Sequence, residues 1–276
     1  MLKDITLGQY FPGNSIIHRL DPRVKLVSTF VYIIFIFLAK SMLAFAFVLG
    51  VTAALVPLSR IKPRVIAKSL KPLMFVIVFT MALNLFFTRG EGEPLVSFWK
   101  INIYREGLVY AAYMILRIVC LLTGTSVMLT YTTSPIELTD GIEQLFAPLS
   151  KIHVPVHEFA MMMSTALRFI PTLIEETDKI MSAQKARGAD FTTGSLVRRV
   201  KALFPVLIPL FVSAFGRADE LAVAMECRCY RGGKGRTRMT RLRMSAHDYI
   251  FSAACAAVCA GIILLNIFTA GIGCGL

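Results

Sequence analysis

Apolar and charged residues are separated into blocks along this chain. From Leu26 to Ser59 the only charged residue is Lys40. As a single helix that block would be about 51 Å long at ~1.5 Å per residue, against a bilayer hydrocarbon core of about 30 Å. It therefore predicts two helices joined by a tight turn near Lys40 and Ser41. Asp21-Pro22 suits the start of the first, with an acceptor at the N-cap and proline at N1. A third uncharged run spans Pro72 to Thr88. A fourth reaches from Gly107 to about Thr132, broken by Arg117, and a fifth runs from Tyr249 to the C-terminus. Five membrane crossings are predicted. Residues 1–23 are mixed and polar, without the form of a cleavable signal peptide.

Composition agrees with the pattern. Hydrophobic residues make up 56% of the chain, charged residues 17%, and the mean hydropathy is +0.66. Soluble domains carry about 25% charged residues, so an ordinary soluble protein is excluded, as is a disordered one. The net charge of +13 would suggest nucleic acid in a soluble protein. Here its distribution explains it. The N-terminal segment, the loop after the second helix and residues 134–247 hold 25 Lys and Arg, and the two alternate loops hold four. Basic residues collect in cytoplasmic loops. The N-terminus is therefore expected in the cytoplasm and the C-terminus outside, with some basic residues on anionic lipid and no nucleic-acid partner.

The segment 134–247 is too long to be an unstructured loop. Ser134-Pro135-Ile136-Glu137 is a capping box with proline at N1, so a helix is expected to about Phe146, ended by Pro148. His153-Val154-Pro155 is a break. A long helix is expected from about Val156 to Arg187, with a bend at Pro171 allowed, stopped by Gly188. Ala202 to Gly216 is uncharged, but it is short and contains Pro205 and Pro209. One extra crossing there would also put Arg228 to Arg243 outside. An interfacial or protein-buried helix is expected instead. A second long helix should end at Cys229-Tyr230, before Gly232-Gly233. The expected division is 1–133 as a membrane domain of four helices, 134–247 as coupling helices and 248–276 as a last crossing. The fold class is an all-α integral membrane protein.

The two long helices end alike. In each, an arginine stands between small residues: Ala186-Arg187-Gly188 and Cys227-Arg228-Cys229. One such arginine would be explained by the helix dipole. Two, on similar helices displaced by 41 residues, suggest a protruding guanidinium whose planar fork suits carboxylates or carbonyls in a groove of another protein.

These motifs resemble the paired arginine signatures of the transmembrane component of energy-coupling factor (ECF) importers for vitamins and metals. Ser182 to Phe191 looks like the first signature and Ala224 to Tyr230 like the second. His18-Arg19-Leu20-Asp21-Pro22-Arg23-Val24-Lys25 matches the N-terminal one, and Leu167 to Pro171 also fits. Cys227 and Cys229 depart from the more common alanine or serine and glycine, but both are small. The resemblance implies two cytosolic ABC-type ATPases, each receiving one arginine-bearing helix end. It further implies a separate membrane substrate-binding subunit that releases its cargo when the coupling helices move. The chain itself would be a non-catalytic subunit of a prokaryotic cell membrane.

The residues fit that absence of catalysis. No Gly-rich phosphate loop with Lys and Ser or Thr occurs in the sequence. His18, His153, His157 and His247 are scattered. The six cysteines have no His at zinc-ligand spacing, so no metal or cofactor is expected. Arg117 is open to two readings: a structural pair, or a lining for the contact with the substrate subunit. Two other functions remain as alternatives. A self-contained permease would need polar groups clustered at the bilayer midplane. A membrane enzyme would need clustered acids or histidines, for which Asp21, Glu175, Glu176 and Asp178 are the only hints. Those four read as caps and helix-surface charges.

Overall fold

The computed structural model describes residues 10–11, 13–39, 41–87, 96–98, 101–103, 105–191, 195–232 and 244–271. Expectations placed on Lys40, Thr88, Arg89, Glu91, Glu93, Lys100, Gly233 and Cys274 lie outside the described residues. Among the described residues nine α-helices follow in order: α1 Pro22–Leu38, α2 Met42–Ser59, α3 Pro63–Leu70, α4 Met74–Phe87, α5 Arg105–Thr125, α6 Pro135–Phe146, α7 Val156–Ala186, α8 Leu196–Cys227 and α9 Ala246–Gly271. A small antiparallel hairpin pairs β1 (Val96–Phe98) with β2 (Ile101–Ile103). The protein is an all-α membrane protein apart from that hairpin. Among the described residues five helical stretches are long and apolar enough to span: Met42–Ser59, Pro63–Leu85, Gly107–Tyr131, Val197–Cys227 and Ala246–Thr269.

The chain forms two compact units. One gathers the described residues up to Gly141 together with those of α9, the other the described residues from Ile142 to Gly232. In the first unit the caps follow the sequence. Asp21 accepts from the Arg23 amide at 2.9 Å, and the Ser41 hydroxyl accepts from Ala44 N at 3.1 Å. The apolar block from Leu26 thus divides between Leu38 and Met42. A π-helical turn, Ser126–Tyr131, ends α5. One core cluster joins Ile36, Phe45, Val48, Cys120 and Ile262 of α1, α2, α5 and α9. A second joins Ile17 and Leu20 to Ile66, Val127, Met128 and Tyr131. Gly124 makes the α1–α5 approach possible, because a Cβ there would lie 2.2 Å from the Tyr32 ring. That ring's hydroxyl donates to Cys120 O at 2.9 Å and bonds Thr52 Oγ1 at 2.7 Å. Facing away from these clusters, Phe75, Phe79, Leu264, Ile267 and Phe268 are exposed, a surface suited to lipid rather than water.

Polar anchors tie the helix starts of this unit together. Lys25 is fully buried, and its Nζ donates to His18 O at 3.1 Å and Thr132 O at 2.9 Å. Asp248, also buried, accepts from the amides of Asp21 (2.8 Å) and Ser245 (2.6 Å). Arg117 is a structural pair of sorts: Nη2 donates to Ala39 O, the C-cap of α1, at 3.3 Å, and the guanidinium lies 5.7 Å from the Phe45 ring centroid.

In the second unit the expected break holds at His153, which closes a 3₁₀ turn with a left-handed φ of 62°. His157 Nδ1 bonds Glu143 Oε1 at 2.9 Å and fixes the start of α7. One expectation needs correcting. Ala202–Gly216 is not a short element of its own. It lies within α8, a helix of 32 residues that runs through both Pro205 and Pro209. Each proline removes one backbone bond, but the helix continues on either side and packs along α7. Shortness and proline content therefore do not bar this segment from spanning. Helix α1, with 17 residues and about 25 Å, stands at the short end of the range that can span.

Candidate functional site

The site is the pair of helix ends on α7 and α8. Helix α8 runs antiparallel to α7. Arg217 Nη2 donates to Glu176 Oε2 at 2.9 Å, while a Cβ on Gly232, fifteen residues later, would lie 3.8 Å from Glu158 Oε1. As α8 advances, its neighbours on α7 fall from 176 towards 158. Arg228 therefore lies towards the N-terminal end of α7, and Arg187 at the C-terminal end. The two motifs are not brought together; the antiparallel pair holds them apart.

Their local geometry is the same. Arg187 is the C-cap of α7, followed by Gly188 at φ +88°. Ala189 N donates to Gln184 O at 3.0 Å, and Gly188 N to Lys185 O at 3.0 Å. Arg228 is the C-cap of α8, followed by Cys229 at φ 54°. Tyr230 N donates to Met225 O at 3.0 Å, and Cys229 N to Glu226 O at 2.8 Å. These are two Schellman caps, built on Ala-Arg-Gly and Cys-Arg-Cys. Ala186, Arg187, Gly188, Cys227, Arg228 and Cys229 are all exposed. The backbone turns sharply beneath each arginine, and the small neighbours leave the guanidinium clear. At Gly188 no atom comes within 4 Å of a Cβ position.

Cys229 stands where the first cap has glycine, and a left-handed non-glycine residue costs about 1–2 kcal/mol. Gly188→Leu should impose that strain without a clash inside the chain. Amide exchange reads both caps. We expect Gly188→Leu to speed exchange at Ala189 and Cys229→Gly to slow it at Tyr230, each by up to about tenfold. Unchanged rates in both variants would mean that the left-handed residue does not limit the cap.

The second end opens on a cavity of about 570 Å³ whose lining includes Ser164, Thr165, Arg168, Arg228, Tyr230 and Arg231. Three guanidinium groups around one cleft favour carboxylates. At mid-length, Glu176 receives the Ser213 hydroxyl as well as Arg217, and these two bonds hold its carboxyl below the usual glutamate range. Glu176, a helix-surface charge by sequence pattern, is thus a partner of α8. Asp248 was not singled out, although Ser245-Ala246-His247-Asp248 has the capping-box spacing that signals it.

Fold and site together define a multi-pass helical membrane protein that carries two arginine-capped helix ends on one antiparallel pair. A family profile described as "Cobalt transport protein" (CbiQ) matches residues 13–239. Three bacterial relatives, each named "Energy-coupling factor transporter transmembrane protein EcfT", are similar over nearly the whole chain. The one from Clostridium kluyveri is 54% identical across 96% of this chain and 98% of its own length. The one from Acidaminococcus fermentans is 50% identical across 97% and 96%. That from Bacillus subtilis is 48% identical across 90% and 93%. The chain belongs to this family, the transmembrane proteins of energy-coupling factor transporters.

Proposed function

We propose that this chain is the non-catalytic coupling subunit of an ECF importer. Two cytosolic ABC-type ATPases dock on Arg187 and Arg228, one on each helix end. Motion of α7 and α8 then passes to a membrane-embedded substrate-binding subunit, which releases its cargo inward. The observation that carries this reading is the duplication of one cap geometry at opposite ends of an antiparallel pair. Two equal docking points suit two homologous partners. A guanidinium raised on a tight turn offers a bidentate fork to a carboxylate or to backbone carbonyls. Chemistry on this chain is not required, because ATP is hydrolysed on the partners. A self-contained permease has less support, since Arg117 already serves the α1 C-terminus.

The decisive experiment is co-purification. Tagged chain extracted from membranes should bring two ATPase polypeptides and a small hydrophobic membrane subunit. Recovery of the chain alone, under conditions that preserve other ABC complexes, would overturn the reading.

Orientation follows from the basic residues: the N-terminus in the cytoplasm of a prokaryotic cell, and both ends of α8 on the same side. Single cysteines at Ser195 and Arg231, in a background without the native cysteines, should both label from the cytoplasm only. Labelling of either from outside means that α8 crosses, as its length and apolarity allow.

A further inference from the structure

Between the Glu176 cluster and the arginine-lined cavity at the Arg228 end, the side chains that α7 and α8 turn toward each other are largely small or pliable. Met161, Phe169, Ala214, Ala218, Leu221 and Met225 line a shared groove. Methionine fills gaps adaptably and alanine offers little relief, so this seam specifies register weakly. Against it stands one polar cluster. Arg217 Nη2 and Ser213 Oγ both donate to the Glu176 carboxylate, one to each oxygen. A charge-assisted, two-point bond between specific positions has one good register, and buried or half-buried polar groups serve best as register devices.

The position of the cluster is as informative as its chemistry. Glu176 and Arg217 are 41 residues apart, and so are Arg187 and Arg228. Each coupling arginine therefore stands eleven residues beyond its own member of the ion pair. Each arm measures about 16 Å at ~1.5 Å per residue. Because the helices are antiparallel, the arms point in opposite directions from the pair. Sliding α8 along α7 by one turn would change the separation of the arginines by about 5.4 Å. Their spacing is set by register, and register is set at the midpoint.

We propose that the Glu176–Ser213–Arg217 clasp is a positioning device that pins the register of α7 against α8 and so fixes the distance between the two ATPase-docking arginines. The pair is half exposed, at 37% for the Arg217 side chain and 23% for Glu176. Such pairs add little to stability, so its main effect is on geometry. The proposal rests on the coupling reading above.

The test uses the complete transporter, with its ATPases and substrate-binding subunit, reconstituted in liposomes. Spin labels are placed on the exposed positions 182 and 223 (Ser182→Cys, Val223→Cys) in a background without other cysteines, and their distance distribution and ATP-driven uptake are both measured. Glu176→Arg should broaden the distribution at least twofold and cut uptake at least tenfold while the ATPases still co-purify. The exchange Glu176→Arg with Arg217→Glu should restore both to within twofold. If Glu176→Arg fails to insert, Glu176→Gln, which keeps shape and loses charge, should show the same broadening. An unchanged distribution, normal uptake with a broadened one, or no rescue by the exchange overturns the clasp. Arg187→Glu with Arg228→Glu is the control. If it abolishes uptake while the clasp variants do not, only the clasp falls. If it leaves uptake intact, the coupling reading itself has failed, and the clasp with it.

Discussion

Replacing Arg187 and Arg228 together with glutamate should abolish substrate uptake and strip the ATPases from the complex. Each arginine is the C-cap of its helix and is exposed. Reversing a charge that pairs across an interface costs about 2–5 kcal/mol, a factor of roughly 30 to several thousand in affinity. The ends lie apart on an antiparallel pair, so the two losses should add in free energy. Each single variant should retain one ATPase at reduced yield, whereas the double variant should retain neither. The check is the stoichiometry of co-purified ATPase together with uptake by intact cells. Arg→Lys at either site separates charge from shape. A planar fork that docks bidentately is not replaced by an ammonium, so lysine should recover only a minor part of the binding. Wild-type uptake in the double glutamate variant would remove both arginines from the mechanism.

Asp248→Ala should be the most destabilising single change outside α7 and α8. The two carboxylate oxygens of this buried residue accept from two amides, Oδ1 from Asp21 N and Oδ2 from Ser245 N. The second bond starts α9, and the first ties that start to the N-cap residue of α1. Each amide left without an acceptor costs about 1–3 kcal/mol, so a loss of about 3 kcal/mol is expected, a large share of a typical folding free energy. Asparagine should rescue only half, because its amide nitrogen faces an N–H donor instead of accepting from it. Thermal aggregation of the detergent-solubilised chain measures the effect. A midpoint within a degree of wild type in both variants would show that water or another group replaces the carboxylate.

Much of the architecture was legible before any coordinates. The Asp21-Pro22 cap, the division of the Leu26–Ser59 block, the Ser134–Glu137 capping box and the stop at Gly188 are local events. Each is dictated within four or five residues by who donates to whom, and that information lies in the sequence. Helix α8 instead ends two residues before the expected Cys229-Tyr230, on a left-handed Cys229 rather than at the following glycines. Ser134 N reaches Glu137 Oε2 at 3.2 Å and Glu137 N reaches the Ser134 hydroxyl at 3.3 Å, as the spacing requires. The membrane class was equally plain, because long uncharged runs have few other uses. Paired arginines between small residues marked the candidate docking ends without any need of the fold.

What failed was judgement about elements whose fate depends on neighbours. Pro205 and Pro209 suggested a separate, short segment, yet α8 passes through both. Local propensity disfavours proline inside a helix, but each proline removes only one backbone bond, and the remaining bonds of a 32-residue helix carry the segment through. Glu176 looked like a surface charge because its partners, Ser213 and Arg217, are 37 and 41 positions away. Asp248 is marked locally only as the partner of Ser245; the other amide it receives, that of Asp21, is 227 positions away.

Membrane class, caps and the two exposed arginines follow from short-range hydrogen bonding and from hydrophobicity, and can be read residue by residue. Where α7 and α8 lie along one another, and that Glu176 and Arg217 meet midway between the arginines, emerges only from the packed chain. The short connection between α7 and α8 requires them to run antiparallel, but their register leaves no local trace, because an Ala- and Met-rich face can meet its partner at several offsets. The choice is made by the few long-range polar contacts that close only when the whole chain is in place.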